Sequence, residues 1–222
     1  MLKEKYQEQL KSIIELLDYY IDGIYDIENE EDFEPMMEEF RQRCPYKCYI
    51  SNGATKGVIV FGDLGFVIKT PLIYNSGGEE IYGAGGDHDW NYCEAEVKNY
   101  IAAQEYGVDK CFAKIEYIDS IGDTKHPIYI QEYVETIGVT NEMSSHTDED
   151  INTVREIINQ SPAYDYIDTN WEADLLASYG RKFYEKIKEF IYRQEINDLH
   201  KGNIGYNSKL PILLDYSGYH AW

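Results

Sequence analysis

Asp198-Leu-His-Lys-Gly-Asn203, followed by Ile212-Leu-Leu-Asp215-Tyr-Ser-Gly218, is the stretch on which the reading of this chain turns. Two carboxylates and one amide oxygen fall at the ends of short apolar runs, which is one way to gather hard oxygen ligands for Mg2+ around a phosphate tail. Upstream, Phe66-Val-Ile-Lys69 sets a lysine at the end of an otherwise apolar run. Glu94 and Glu96 stand on the next predicted helix, placed to pair with that lysine.

Hydrophobic periodicity supplies the frame around these residues. Tyr6, Leu10, Ile13, Ile14, Leu17, Ile21 and Ile24 predict an amphipathic helix over 4–25. The acidic run Glu28 to Glu34 reads as a loop, and a short helix from Pro35 to Arg43 places Pro35 at its first position. The period then changes, predicting strands over 46–51, 57–61 and 65–70. A glycine-rich run over 74–88 reads as a loop, and a helix is predicted over 89–106. Strands follow over 112–118 and 128–133, then a helix over 148–159 and a long one over 172–193. The last carries the stripe Leu176, Tyr179, Phe183, Ile187 and Phe190. Two short strands, 203–206 and 212–215, close the order. The plan is α+β and two-lobed: a helical extension over 1–45, an antiparallel sheet with one inserted helix over 46–135, and a reduced helical lobe over 136–222. A cleft between two lobes is the default place for a ligand.

At this point the sequence resembles the protein-kinase-like superfamily, including its aminoglycoside and choline kinase branch. Val67-Ile68-Lys69 resembles the V-A-I-K strand, Gln131-Glu-Tyr-Val-Glu135 the hinge, and Asp198 to Asn203 the catalytic loop D-L-x-x-x-N. Asp215-Tyr-Ser-Gly218 resembles a metal-binding D-F-G with one extra residue. Order and spacing agree from about Tyr46 to Gly218. The resemblance implies that Lys69 holds the α/β phosphates of ATP and is oriented by a glutamate of the inserted helix, Glu96 in preference to Glu94. It implies that Asp198 accepts the proton of an attacking hydroxyl, and that Asn203 and Asp215 hold Mg2+. Adenine would meet the hinge backbone at Glu132 and Val134, with Val58 and Val67 above it and Leu214 below. Against G-x-G-x-x-G-x-V, the run Ser51 to Val58 keeps Gly53 and Val58, and Lys56 stands where the last glycine is expected, offering charge in its place. Ile196 stands where protein kinases carry His, and His200 matches the small-molecule branch. The resemblance ends just after the D-F-G-like motif, with no activation segment, no A-P-E and no substrate platform.

Composition narrows the classes. With 20 Lys+Arg against 41 Asp+Glu, the net charge is −21, and no Lys/Arg block offers a nucleic acid a cationic face. The 22 Tyr, 7 Phe and 3 Trp exclude wholesale disorder. No apolar run approaches the ~20 residues that cross a bilayer. Cys44, Cys48, Cys93 and Cys111 do not form a secreted disulfide frame, which points to a reducing cytoplasm, and Cys44 with Cys48 make only half of a zinc site. The expected function is a minimal kinase-like phosphotransferase that binds Mg-ATP and transfers the γ-phosphoryl to a hydroxyl of an unidentified acceptor. The alternative is a nucleotide-binding pseudokinase that acts as a scaffold or switch. The apolar face of the N-terminal helix must meet either the small lobe or a partner, a second copy or another protein.

Overall fold

In the computed structural model, residues 1–25, 30–52, 56–71, 91–123, 125–137, 145–160 and 167–218 are described. The predicted glycine-rich loop over 74–88, the first residues of the helix predicted from Asp89, and Gly53 lie outside them. The chain is mixed α and β and divides into two compact units: Met1–Val97 with Lys114–Tyr133, and Lys98–Ala113 with Val134–Trp222. The expected N-terminal extension thus belongs to the same unit as the sheet.

The first unit is built on five antiparallel strands, β1 (Tyr49–Asn52), β2 (Lys56–Phe61), β3 (Phe66–Pro71), β4 (Ile115–Ile121) and β5 (His126–Glu132), in the order β1-β2-β3-β5-β4. Alternation along the strands gives the sheet two different faces. Ile59, Phe61, Phe66, Ile68, Ile128 and Ile130 belong to one buried cluster with Leu2, Tyr6, Leu10, Ile13, Leu17 and Ile21 of the N-terminal helices α1 (Leu2–Lys5) and α2 (Gln7–Tyr25). Met37 and Phe40 of α3 (Glu30–Arg43) complete it. The apolar stripe of the N-terminal helix is therefore spent on the sheet of its own chain. Each such side chain contributes about 1.5–3 kcal/mol on burial, which is ample to fasten the helices.

Two local expectations change. The helix predicted over 4–25 is interrupted at Tyr6, whose ring lies 4.7 Å from that of Phe66 and whose conformation (φ −114°, ψ 22°) ends α1. Pro35 sits inside α3 rather than at its start, and residues 30–34 are helical rather than loop. A proline inside a helix forfeits one backbone hydrogen bond, and the helix continues past it to Arg43. In the turn that follows α3, Cys44 and Cys48 are free thiols whose mutual hydrogen bond lowers Cys44 to about 7 and raises Cys48.

The helix α4 (Tyr92–Tyr106) runs through the division between the units. In the second unit, β6 (Glu135–Thr136), β7 (Ile204–Asn207) and β8 (Leu210–Leu213) form a three-stranded antiparallel sheet. Gly205 is required there, because a Cβ would stand 2.0 Å from the Glu135 carbonyl oxygen. Helices α5 (Asp148–Gln160), α6 (Thr169–Tyr179) and α7 (Arg181–Arg193) supply the rest. The single helix predicted over 172–193 is two, broken at Gly180, whose φ of 81° and ψ of 160° suit only glycine. Across the break, buried Lys188 Nζ lies 2.6 Å from Glu172 Oε1, which also accepts from Tyr184 Oη at 3.1 Å. No described helix is long and apolar enough to cross a membrane.

The start of the chain is held by one carboxylate. Glu116 accepts from the backbone N–H of Leu2 at 3.0 Å and of Lys3 at 3.1 Å, and pairs with Lys114 at 3.0 Å. Burial alone would raise its carboxyl, but the Leu2 N–H, Lys114 and the Lys3 N–H together hold it below the usual carboxylate range. A depressed folded-state value contributes stability above the unfolded pKa, and that contribution is lost as pH falls through the folded one. Urea unfolding across pH is expected to show stability decreasing on acidification, with part of that slope absent in Glu116→Gln.

Candidate functional site

The second face of the first sheet carries the predicted residues. Val58 is paired with Lys69 and Val60 with Val67 in the β2–β3 register, while Lys56 faces Pro71. Side chains alternate along strands, so Lys56, Val58, Val67 and Lys69 share one face, opposite to the face covered by the N-terminal helices. Val67 and both lysines are buried, and Val58 is half-buried.

Over this face α4 places Glu96, which is fully buried, whereas Glu94 two residues earlier is exposed. Lys69 Nζ lies 2.9 Å from Glu96 Oε2 and 3.1 Å from Oε1. The glutamate beside Lys69 is thus Glu96. Lys56 Nζ lies 2.7 Å from the same Oε1, so one carboxylate receives two ammonium groups. Lys56 does not stand in the turn before β2, where the sequence pattern places it, but begins the strand with its side chain buried.

Helix α4 is fixed by a residue that sequence reasoning passed over. Asn91 Oδ1 accepts from the Glu94 backbone N–H at 3.0 Å, and Asn91 Nδ2 donates to Tyr129 Oη at 2.7 Å. Tyr129 is the β5 neighbour of Lys69. One asparagine therefore caps the helix and ties its first turn to the strand beside the lysine. The signal was present as Asn91-x-x-Glu94, the spacing of a capping box.

The second unit holds the other predicted residues. Ile196 is buried and anchors the loop that begins after α7. Asp198 follows it with a side chain 48% exposed, and His200 Nε2 stands 3.9 Å from Asp198 Oδ1. His200 Nδ1 accepts from the Gly202 N–H at 3.0 Å, a tight turn in which a Cβ at Gly202 would come within 2.8 Å of the imidazole. Asn203 Nδ2 donates to the Asp198 carbonyl at 2.7 Å, and the Leu214 N–H donates to the Asn203 carbonyl at 2.8 Å. That backbone bond carries Asn203 and Asp215 on adjoining chain segments. Asp215 Oδ1 accepts from Ser217 Oγ at 3.1 Å, and Gly218, at φ +77°, approaches the Glu195 carbonyl so closely that a Cβ would stand 2.7 Å from it. Asp198, Asn203 and Asp215 are thus held by two loops that pack on each other.

Asn203 and Asp215 offer hard oxygen donors, the type that suits Mg2+. The Asn203 amide spends its nitrogen on Asp198, which leaves its oxygen as the end able to meet a cation. Among the described residues no group of three or more His, Cys, Asp or Glu is gathered for a metal, so an ion here would draw its remaining ligands from phosphate and water.

Of the predicted hinge residues, Glu132 donates its N–H to the Lys114 carbonyl at 2.8 Å. Val134 is buried in a small cluster with Ala113 and Ile212, against which Leu214 packs. The Val134 N–H has no backbone partner among the described residues.

The shared carboxylate sets an order of sensitivity. Lys56→Met or Lys69→Met leaves Glu96 the other of these two ammonium groups, whereas Glu96→Gln removes its charge from both. In chemical denaturation, Glu96→Gln is expected to cost about 3–5 kcal/mol, and each lysine variant distinctly less. No family model matches the chain, and neither a curated protein nor a solved structure matches it.

Proposed function

We propose that this chain is a minimal kinase-like phosphotransferase, with a two-lobed kinase-type arrangement, that transfers the γ-phosphoryl of ATP to a hydroxyl. The observation that carries the reading is the buried Lys69–Glu96 pair on the strand face that also bears Val58 and Val67. An ammonium held in a dry environment by one carboxylate, beside apolar side chains, suits the phosphates and ring of a nucleotide. In a chain of net charge −21 such local cations are needed for any anionic ligand.

In this reading Lys69 meets the α/β phosphates, the Val134 N–H and the Glu132 carbonyl orient adenine, and Leu214 lies beneath it. The exposed carboxylate of Asp198 takes the proton of the acceptor hydroxyl. As the acceptor oxygen bonds to the γ-phosphorus, the bond from that phosphorus to the β,γ-bridging oxygen breaks, and its electron pair leaves with ADP. Asn203 and Asp215 would hold Mg2+, which when bound offsets phosphate charge. His200 and Gly202 shape the turn that presents Asp198.

Thermal unfolding with and without Mg-ATP tests the binding step. At about a hundred times the dissociation constant, ligand adds about 2.7 kcal/mol, and this gain is expected to disappear in Lys69→Ala and Asp215→Asn. With an acceptor in hand, Asp198→Asn is expected to slow transfer by about 10²–10⁴-fold with little change in ATP affinity. Binding without any transfer would favour the pseudokinase reading, which the loss of glycines around Lys56 also suits. An unchanged rate in Asp198→Asn would remove the aspartate from the chemistry.

A further inference from the structure

Away from the face that carries Lys69, two thiols share the turn Cys44-Pro-Tyr-Lys-Cys48, between the end of α3 at Arg43 and the start of β1 at Tyr49. Pro45 lacks an N–H and disfavours helical conformation in the residue before it, so α3 stops there. The Cys44 N–H still closes on the Phe40 carbonyl at 2.9 Å, which fixes the first thiol at the helix end. Cys44 and Cys48 both pack against the buried cluster of the first unit, as do Tyr46 and Ile50. That common seat brings the sulfurs together: Cys48 Sγ–H donates to Cys44 Sγ, which also accepts from the Tyr46 backbone N–H. Both cysteines are half-buried and so partly open to solvent, whereas Cys93 and Cys111 are fully buried. Two thiols supply only half of the four ligands of a structural zinc, and among the described residues no group of three or more His, Cys, Asp or Glu completes the set.

The thiolate, not the thiol, is the nucleophile. The Cys48 hydrogen bond outweighs burial and, with the Tyr46 N–H, lowers Cys44 to about 7. The same bond raises Cys48, which keeps its proton. Burial pushes the Cys111 thiol up to about 12. The pair is thus divided into a nucleophile and a proton-bearing partner already in contact with it, which is how an oxidation-sensitive thiol stands beside a resolving one. We propose that Cys44 and Cys48 are a peroxide-responsive modification site, in which Cys44 is oxidised to a sulfenic acid and Cys48 converts it to a reversible disulfide within the chain. In the first step the Cys44 thiolate attacks one oxygen of hydrogen peroxide. An S–O bond forms, the O–O bond breaks, and the departing hydroxide takes a proton from solvent to leave as water. In the second step the Cys48 sulfur attacks the Cys44 sulfur. The S–S bond forms, the S–O bond breaks, and hydroxide leaves as water with the proton of Cys48. Two thiols are oxidised by two electrons together, and one peroxide is reduced to two waters. The product ties the end of α3 to the start of β1, and a thiol reductant restores the pair by exchange.

The test is mass spectrometry of the whole folded chain before and after hydrogen peroxide, at an exposure that oxidises free glutathione, with remaining thiols alkylated and the peptides mapped. The wild type is expected to lose two hydrogens, located to a Cys44–Cys48 crosslink within one chain, to regain them with dithiothreitol, and to keep Cys93 and Cys111 as thiols. In Cys48→Ser, dimedone is expected to trap a sulfenic acid at Cys44, and Cys44→Ser to give about tenfold less adduct at Cys48. Four results would each overturn the proposal: both thiols still open to alkylation after peroxide, a crosslink between two chains, a sulfinic acid at Cys44 in place of the crosslink, or oxidation of Cys93 and Cys111 as fast as of Cys44. Should either variant fail to fold, the mapping of the wild type alone gives the decision.

Discussion

A carboxylate withdrawn from water is costly unless cations and hydrogen bonds replace its solvation. Glu96 is fully buried, and two lysines from adjacent strands meet it. That requirement propagates. The lysines must lie on one face, which demands the β2–β3 register, and a slip of one residue between the strands would set them on opposite faces. The glutamate must stand over that face, which demands that α4 be capped by Asn91 and tied through it to Tyr129. The strands must keep their pleat, and the N-terminal helices secure it by filling the opposite face with Leu10, Ile13, Leu17 and Phe40. The charged face and the greasy face of the sheet are two consequences of one alternation.

The second unit solves a different problem, that of presenting polar groups to solvent in a defined posture. Asp198 is half exposed, and backbone geometry rather than burial governs it: the Gly202 turn, the Asn203 amide on its carbonyl, and the close approach of Gly218 to Glu195. In the same unit α6 and α7 are joined by Glu172 and Lys188, a buried pair that spans the break at Gly180. In the function proposed above, a buried ammonium that meets an anion and an exposed carboxylate that takes a proton would be complementary tools, the first gaining strength from low dielectric and the second needing access to a substrate.

Much of this was legible before any coordinates, because it was written in local pattern. Alternation and apolar runs announced the five strands and the helices around them, and the run Asp198 to Asn203 with Asp215 announced the polar loops. Lys69 was legible as a lone charge in an apolar strand, and Glu96 as the glutamate that the resemblance prefers over Glu94. Less legible were the points where backbone geometry overrides periodicity. The stripe through Tyr179 and Phe183 reads as one helix, yet Gly180 interrupts it, since a glycine can take a conformation that periodicity does not register. Likewise Tyr6 breaks an uninterrupted apolar pattern where its ring meets Phe66, a residue distant in sequence.

By itself the sequence determined most element types, though not the helix over residues 30–34, together with the strand alternation and which residue types were available for chemistry, since these depend on neighbours within a few positions along the chain. Only the tertiary structure decided that the N-terminal helices cover their own sheet, that Asn91 holds α4 to β5, and that Lys56 shares Glu96 with Lys69. Lys56 and Glu96 are forty positions apart. Nothing local distinguishes a lysine that will point into water from one that register and packing will turn inward, because burial of a charge is settled by where its partner is brought.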